Sequence, residues 1–187
     1  MRLSIFAGLF ALTALLPPSA RAAFYDQSAE LHRFLGAEIS YRIDTGEDSS
    51  FEKVSSTSEG WISQRTGRWV GTGEPVRLWT RFDLPAVDTP QHYFLVTGPW
   101  ERVEYFFVRG GQLVDHQLAG SLVPQGERST HVTMTPPTLS GFVAIAMPAN
   151  ARTTVFARLA TDNRFSAMGG LRFSLWDEAH VRAEAGQ

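Results

Sequence analysis

The feature that most restricts this chain is the alternation of apolar and polar side chains in short runs broken by glycine and proline. Leu78, Thr80, Phe82 and Leu84 occupy alternate positions, with Trp79, Arg81 and Asp83 between them. A period of two sends one set to each side of an extended strand. Val103, Tyr105 and Phe107 oppose Arg102, Glu104 and Phe106 in the same way. Further apolar or β-branched runs lie at Ala37–Ile43, His92–Thr97, Gln112–Leu118, Thr130–Thr135, Phe142–Met147, Thr153–Leu159 and Leu171–Trp176. Between them stand Gly98-Pro99, Gly110-Gly111, Pro136-Pro137, Pro148-Ala149-Asn150 and Gly169-Gly170, the chemistry of turns. Val108 to Gln112 predicts a hairpin, because the paired glycines supply the positive φ that a tight turn requires.

Helical signal is confined to the N-terminal part. Ser49 to Ser55 predicts one short helix, with Ser49 as cap and Glu52 completing a Ser-x-x-Glu box. Ala29 to Gly36 predicts another turn or two, stopped by Gly36. About nine short strands with so little helix predict an all-β fold, two antiparallel sheets packed as a sandwich or jelly roll. No repeat, low-complexity block or linker divides the pattern, so it reads as one domain.

Composition excludes several classes. The 187 residues contain no cysteine, which removes thiol nucleophiles, thiolate zinc sites and disulfide scaffolding. With 43% apolar and 12% aromatic residues the chain can build a packed core. A formal charge of −2 is poor for nucleic acid, whose phosphates call for clustered Lys and Arg.

Residues 1–22 read as a secretory signal peptide. Arg2 gives a short positive start, Leu3 to Leu16 is uncharged and apolar, Pro17-Pro18 breaks it, and Ala20-Arg21-Ala22 offers small-x-small cleavage chemistry. The apolar run is shorter than the roughly 20 residues that span a bilayer as a helix. The expectation is therefore a periplasmic product cleaved near Ala22. A lead-in over 23–33, a sandwich domain over 34–180 and a polar tail over 181–187 complete the division. Removing Arg2 and Arg21 leaves 15 basic against 19 acidic residues, a balance of −4.

Motifs for catalysis are absent or hollow. Asp177-Glu178-Ala179-His180 spells a helicase box, but no phosphate-cradling glycine loop accompanies it. His32, His92, His116, His131 and His180 stand singly, without the spacing that puts two imidazoles on one metal ion, so no metal site and no cofactor are expected. Gly-x-Ser-x-Gly does not occur. Asp83, Asp88, Glu101 and Glu104 could supply a glycosidase pair, yet nothing in their spacing selects two of them.

The aromatic residues carry more. Trp79 and Arg81 share the strand face opposite Leu78 and Phe82, and Glu104 stands on the corresponding face of its own strand. If that face is concave and open, these three form a ligand-binding set for a sugar-like molecule: a ring stacks on an apolar C–H face while Arg and Glu bond hydroxyls. The competing arrangement has Trp79 packed beneath a loop and Arg81 paired with Glu104 on a neighbouring strand.

The order of these features resembles a known family. Phe34-Leu35-Gly36, Tyr41-Arg42-Ile43-Asp44, the short helix, Gly71 and Leu78-Trp79-Thr80-Arg81-Phe82-Asp83-Leu84 follow one another as in the type-2 extracellular sensor domain of bacterial seven-transmembrane DISM receptors, which carry diverse intracellular signalling modules. Glu101 to Phe106, Gly110-Gly111, Gly120, Thr153 to Leu159 and Leu175-Trp176-Asp177-Glu178-Ala179 continue the similarity, which covers roughly Phe34 to His180. The resemblance implies a jelly-roll sensor akin to carbohydrate-binding modules, without catalytic residues. It also implies a small-molecule ligand such as a carbohydrate, and a membrane receptor or signalling partner. In that family seven membrane helices follow this domain, whereas the sequence here ends on the polar segment 181–187. A periplasmic carbohydrate-active enzyme, or an envelope interaction protein on the same scaffold, are the alternatives.

Overall fold

The computed structural model describes residues 33–34, 39–44, 46, 49–64, 74–84, 86–98, 100–130, 142–162, 171, 173–179 and 181. Among them are ten strands: β1 (Arg33–Phe34), β2 (Ser40–Ile43), β3 (Ile62–Ser63), β4 (Val76–Asp83), β5 (Gln91–Thr97), β6 (Arg102–Arg109), β7 (Gln112–Ala119), β8 (Phe142–Met147), β9 (Thr154–Thr161) and β10 (Phe173–Trp176). An α-helix, α1 (Phe51–Ser56), lies between β2 and β3, a short 3-10 turn covers Gln125–Glu127, and helical backbone returns at 178–179 and 181. The strands form two antiparallel sheets, a smaller one ordered β1-β10-β5-β8 and a larger one ordered β3-β2-β4-β9-β6-β7. The all-β sandwich is thus the observed architecture.

The alternation decides what lies between the sheets. Leu78 and Phe82 of β4, Val103, Tyr105 and Phe107 of β6, and Val155, Ala157 and Leu159 of β9 project inward from the larger sheet. Leu95 of β5, Val143 and Ile145 of β8, and Phe173 and Leu175 of β10 meet them from the smaller one. Phe173 bridges the layers, its ring 4.6 Å from Phe82 and 6.4 Å edge-on from Tyr105. Such aromatic pairs add about 0.5–1.5 kcal/mol each beyond the area they bury.

A second apolar cluster covers the other side of the smaller sheet. Phe94 and Val96 of β5 pack there with Phe142, Trp176 and Val181. The Val181 amide reaches the Asp177 carbonyl at 3.2 Å, so the turn after β10 folds back and buries Val181, the first residue of the segment expected to be polar tail.

The β6–β7 hairpin forms where the paired glycines predict it. Gly110 at φ 55° and Gly111 at φ 81° occupy the left-handed region, and Arg109 faces Gln112 across the turn. The N-terminal helical expectations need two corrections. Arg33 and Phe34 do not coil but pair with Leu175 and Ser174, because β10 offers them a free edge. In α1 the cap is Ser50, which accepts from the Lys53 amide at 3.5 Å, because the Ser49 hydroxyl is taken by Arg158. The expected strand over Thr130–Thr135, from residue 131 on, and the signal segment over 1–22 lie outside the described residues.

Candidate functional site

Three cross-strand rows build the outer face of the larger sheet. Trp79 of β4 stands opposite Arg158 of β9, which stands opposite Glu104 of β6. The next row is Arg81, Phe156 and Phe106, and the third is Asp83, Thr154 and Val108. Trp79, Arg81 and Glu104 therefore do share one face, as their alternation predicts, but β9 separates Glu104 from the other two.

That face is not open along its length. The α1 helix delivers Phe51 and Val54 onto it, and the loop that follows adds Trp61. Phe51 stacks on Phe106 with centroids 4.7 Å apart and meets Phe156 edge-on at 5.8 Å. Trp61 meets Phe156 edge-on at 6.1 Å, and Trp79 lies 5.5 Å from Phe106. Under this cover Trp79 is 1% exposed, and its indole Nε1 has no hydrogen-bond partner among the described residues. The expectation of Trp79 as an exposed stacking platform is corrected: the ring is the floor on which α1 packs. Phe51 and Val54 at positions i and i+3 put two apolar groups on one side of a short helix, a pattern that demands a partner surface.

Arg81 is placed differently. Its guanidinium lies over the Trp61 ring, 4.8 Å from the centroid, and among the described residues it has no hydrogen bond and no ion pair. It opens into a groove of about 940 Å³ between α1 and the β6–β7 hairpin. Phe51, Val108 and Phe156 give this groove an apolar side, and Ser40, Ser55, Ser56 and Thr154 line it with hydroxyls. The Ser55 and Ser56 hydroxyls donate to the Glu52 and Lys53 carbonyls at 3.3 and 3.0 Å, which leaves their oxygens as acceptors.

Asp83, also in the groove, is already engaged. Its Oδ1 accepts from the Thr154 hydroxyl at 2.6 Å and its Oδ2 is paired with Arg152. Desolvation pushes its carboxyl upward, but the Arg152 and Thr154 hydrogen bonds and the charges of Arg152 and Arg81 outweigh it and hold the group below the ordinary value. With Asp83 and Arg152 neutralising each other, Arg81 remains as the uncompensated charge among the described residues of the groove.

Glu104 belongs to another depression, of about 390 Å³, at the opposite end of the face beside Arg77, Leu122 and Arg158. Its Oε1 accepts from Arg102 Nε of the same strand at 2.9 Å, so it pairs within β6 and not with Arg81. Arg158, in the middle of the row, donates from Nε to the buried Asp44 at 2.8 Å and from Nη2 to Ser49 at 3.0 Å, and lies 5.9 Å from the Trp79 centroid. The three anticipated residues are thus divided: Arg81 in a groove, Glu104 in a separate depression, Trp79 beneath α1. Sequence reading missed Trp61, Phe51 and Phe156, and only the one-sided helix pointed toward them.

Among the described residues, no group of three or more His, Asp or Glu side chains is placed to hold a metal ion. Nor is any helix there long and apolar enough to cross a membrane. Compared with known proteins, residues 36–171 match the family described as 7TMR-DISM extracellular 2. No curated protein matches the chain.

Proposed function

Because the chain belongs to the 7TMR-DISM extracellular 2 family, a sensory input domain outside the cytoplasm, we propose that it binds a small ligand of sugar size in the Arg81 groove. Occupancy is then relayed to a membrane receptor or signalling partner. The observation that carries this reading is the groove itself: one free guanidinium, an apolar side and a set of hydroxyl acceptors converge on a space of about 940 Å³. Binding sites of small polar molecules combine an apolar wall with a few convergent polar groups in this way. Residues 1–22 serve as the export signal that delivers the domain to the periplasm.

Binding is favoured over hydrolysis. Glycoside cleavage needs two carboxyl groups flanking the bond, one of them free to exchange a proton. The described lining of the groove includes one carboxylate, Asp83, and both of its oxygens are committed to Thr154 and Arg152.

A thermal-shift screen of mono- and disaccharides and sugar derivatives, repeated with Ser56→Trp to fill the groove, tests the reading. A ligand that raises the melting temperature of the natural protein and not of the variant supports it. Ligands that stabilise both equally, or none in the screen, count against the groove.

A further inference from the structure

We propose that the ligand of this groove is a polyhydroxylated monocarboxylate, an acidic sugar such as a hexuronate, and that Arg81 is the residue that selects its carboxylate. The inference rests on the reading of the groove as a ligand site and adds the charge of the ligand.

Arg81 is the group to explain. A guanidinium carries five N–H donors in a planar fork, and one that has lost part of its water is normally paired. Arg81 is partly buried, yet its donors meet no acceptor among the described residues. Asp83, whose carboxyl feels the Arg81 charge, sits two positions along β4 on the same face, but the Thr154 hydroxyl and Arg152 occupy both oxygens. The guanidinium carbon lies over the Trp61 ring, 4.8 Å from its centroid. A cation–π contact uses none of the N–H donors, and the guanidinium fork matches the two oxygens of a carboxylate.

The rest of the groove describes the ligand's body. Phe51, Val108 and Phe156 suit the C–H face of a pyranose ring. Ser55 and Ser56 have spent their protons on helix carbonyls and present acceptors, which suit ligand hydroxyls as donors. One net positive charge against one carboxylate leaves no buried charge unpaired, whereas a dianion would leave one over.

The experiment is calorimetric titration of the full chain with galacturonate and glucuronate, alongside galactose and glucose, for the natural protein, Arg81→Gln and Arg81→Lys. The uronates are expected to bind about tenfold to a hundredfold more tightly than the neutral sugars, the range of a charge-assisted bidentate hydrogen bond. Arg81→Gln is expected to bring the uronates down to the neutral-sugar level, and Arg81→Lys to retain part of the preference, since lysine keeps the charge and loses the fork. Neutral sugars that bind as tightly as uronates, or uronate binding that survives Arg81→Gln, would overturn the inference while leaving the groove reading intact. If neither class binds but a neutral compound from the thermal-shift screen binds in a Ser56-dependent manner, the acidic-sugar inference alone falls. If nothing binds in the groove, both fall. A cooperative thermal transition of Arg81→Gln close to that of the natural protein certifies that the variant is folded.

Discussion

Arg158 Nε lies 2.8 Å from Asp44 Oδ2 across a sequence separation of 114 residues, and this contact ties the β2–α1 connection to the centre of the larger sheet. The Asp44 side chain is fully removed from solvent, and the Gly46 amide adds a second hydrogen bond at 3.0 Å. Arg158 also holds Ser49 just before the helix, so α1 is anchored at its start by a polar network and along its length by Phe51 and Val54.

Asp44→Ala is accordingly predicted to cost about 2 kcal/mol. A fully buried pair loses about 3–5 kcal/mol when one partner is removed, but Arg158 keeps part of its hydration, which lowers the figure. Asp44→Asn, which retains an acceptor for Gly46, is expected to cost less. Urea unfolding midpoints of the two variants against the natural protein check the order.

The same network sets an acid limit. For Asp44, desolvation pushes the carboxyl up, and the bonds from Gly46, Ser49 and Arg158 with the Arg158 charge more than reverse it, so the group is held below 3.8. Asp83 is held below 3.8 as well. A group whose folded value lies below its unfolded one contributes its full stability above the unfolded value and loses it as pH falls through the folded value. Stability is therefore predicted to be insensitive to these two groups above about pH 5 and to decline below about pH 4. Asp44→Asn should flatten part of that decline, read as unfolding midpoints across the acid range.

The degree to which the fold was legible follows from what alternation reports. Period two identifies strands and assigns their faces, and β4, β6 and β9 turn Leu78, Tyr105 and Ala157 inward as that pattern requires. It cannot tell whether the outer face meets water or another element. Trp79 and Arg81 are equivalent by alternation, yet one lies beneath Val54 and the other beside a groove, because α1 is only long enough to cover part of the sheet. The cap moved by one residue for a related reason: Ser49 and Ser50 are equally good caps locally, and the tertiary bond to Arg158 decides between them. Long-range partners of that kind leave no trace in local spacing.

Trp79 offers a test of the covered face. Trp79→Ala is predicted to cost about 3–5 kcal/mol, the usual loss for a large buried aromatic, and to loosen α1. Trp79→Phe should cost far less than the difference in volume suggests, since it also removes a buried indole N–H that has no partner among the described residues. Thermal unfolding with amide exchange over residues 51–56 measures both effects.

Gly120 is predicted to be intolerant of any side chain. Its φ of 135° is strained for other residues, and an added Cβ would overlap the Glu101 carbonyl and lie 2.7 Å from Arg102 Cα. Because both obstacles are backbone of the strand entrance, neither can swing aside, and Gly120→Ala should cost about 3 kcal/mol. Gly46→Ala, at φ 86° with open space around it, should cost about 1 kcal/mol. The pair separates steric overlap from conformational strain in one unfolding experiment.

Arg81 should behave as the opposite of Trp79. Its contact with the fold is the Trp61 ring, and its charge lies near an aspartate that Arg152 already neutralises. A cation–π contact at a partly exposed site contributes about 0.5–1 kcal/mol, so Arg81→Gln is predicted to cost no more than that. A structural arginine would cost several times as much, because its removal would strand buried acceptors. Chemical denaturation of Arg81→Gln therefore decides whether this guanidinium is held for the fold or kept in reserve. A loss within that small range means the fold does not depend on this guanidinium, whose N–H donors meet no acceptor among the described residues.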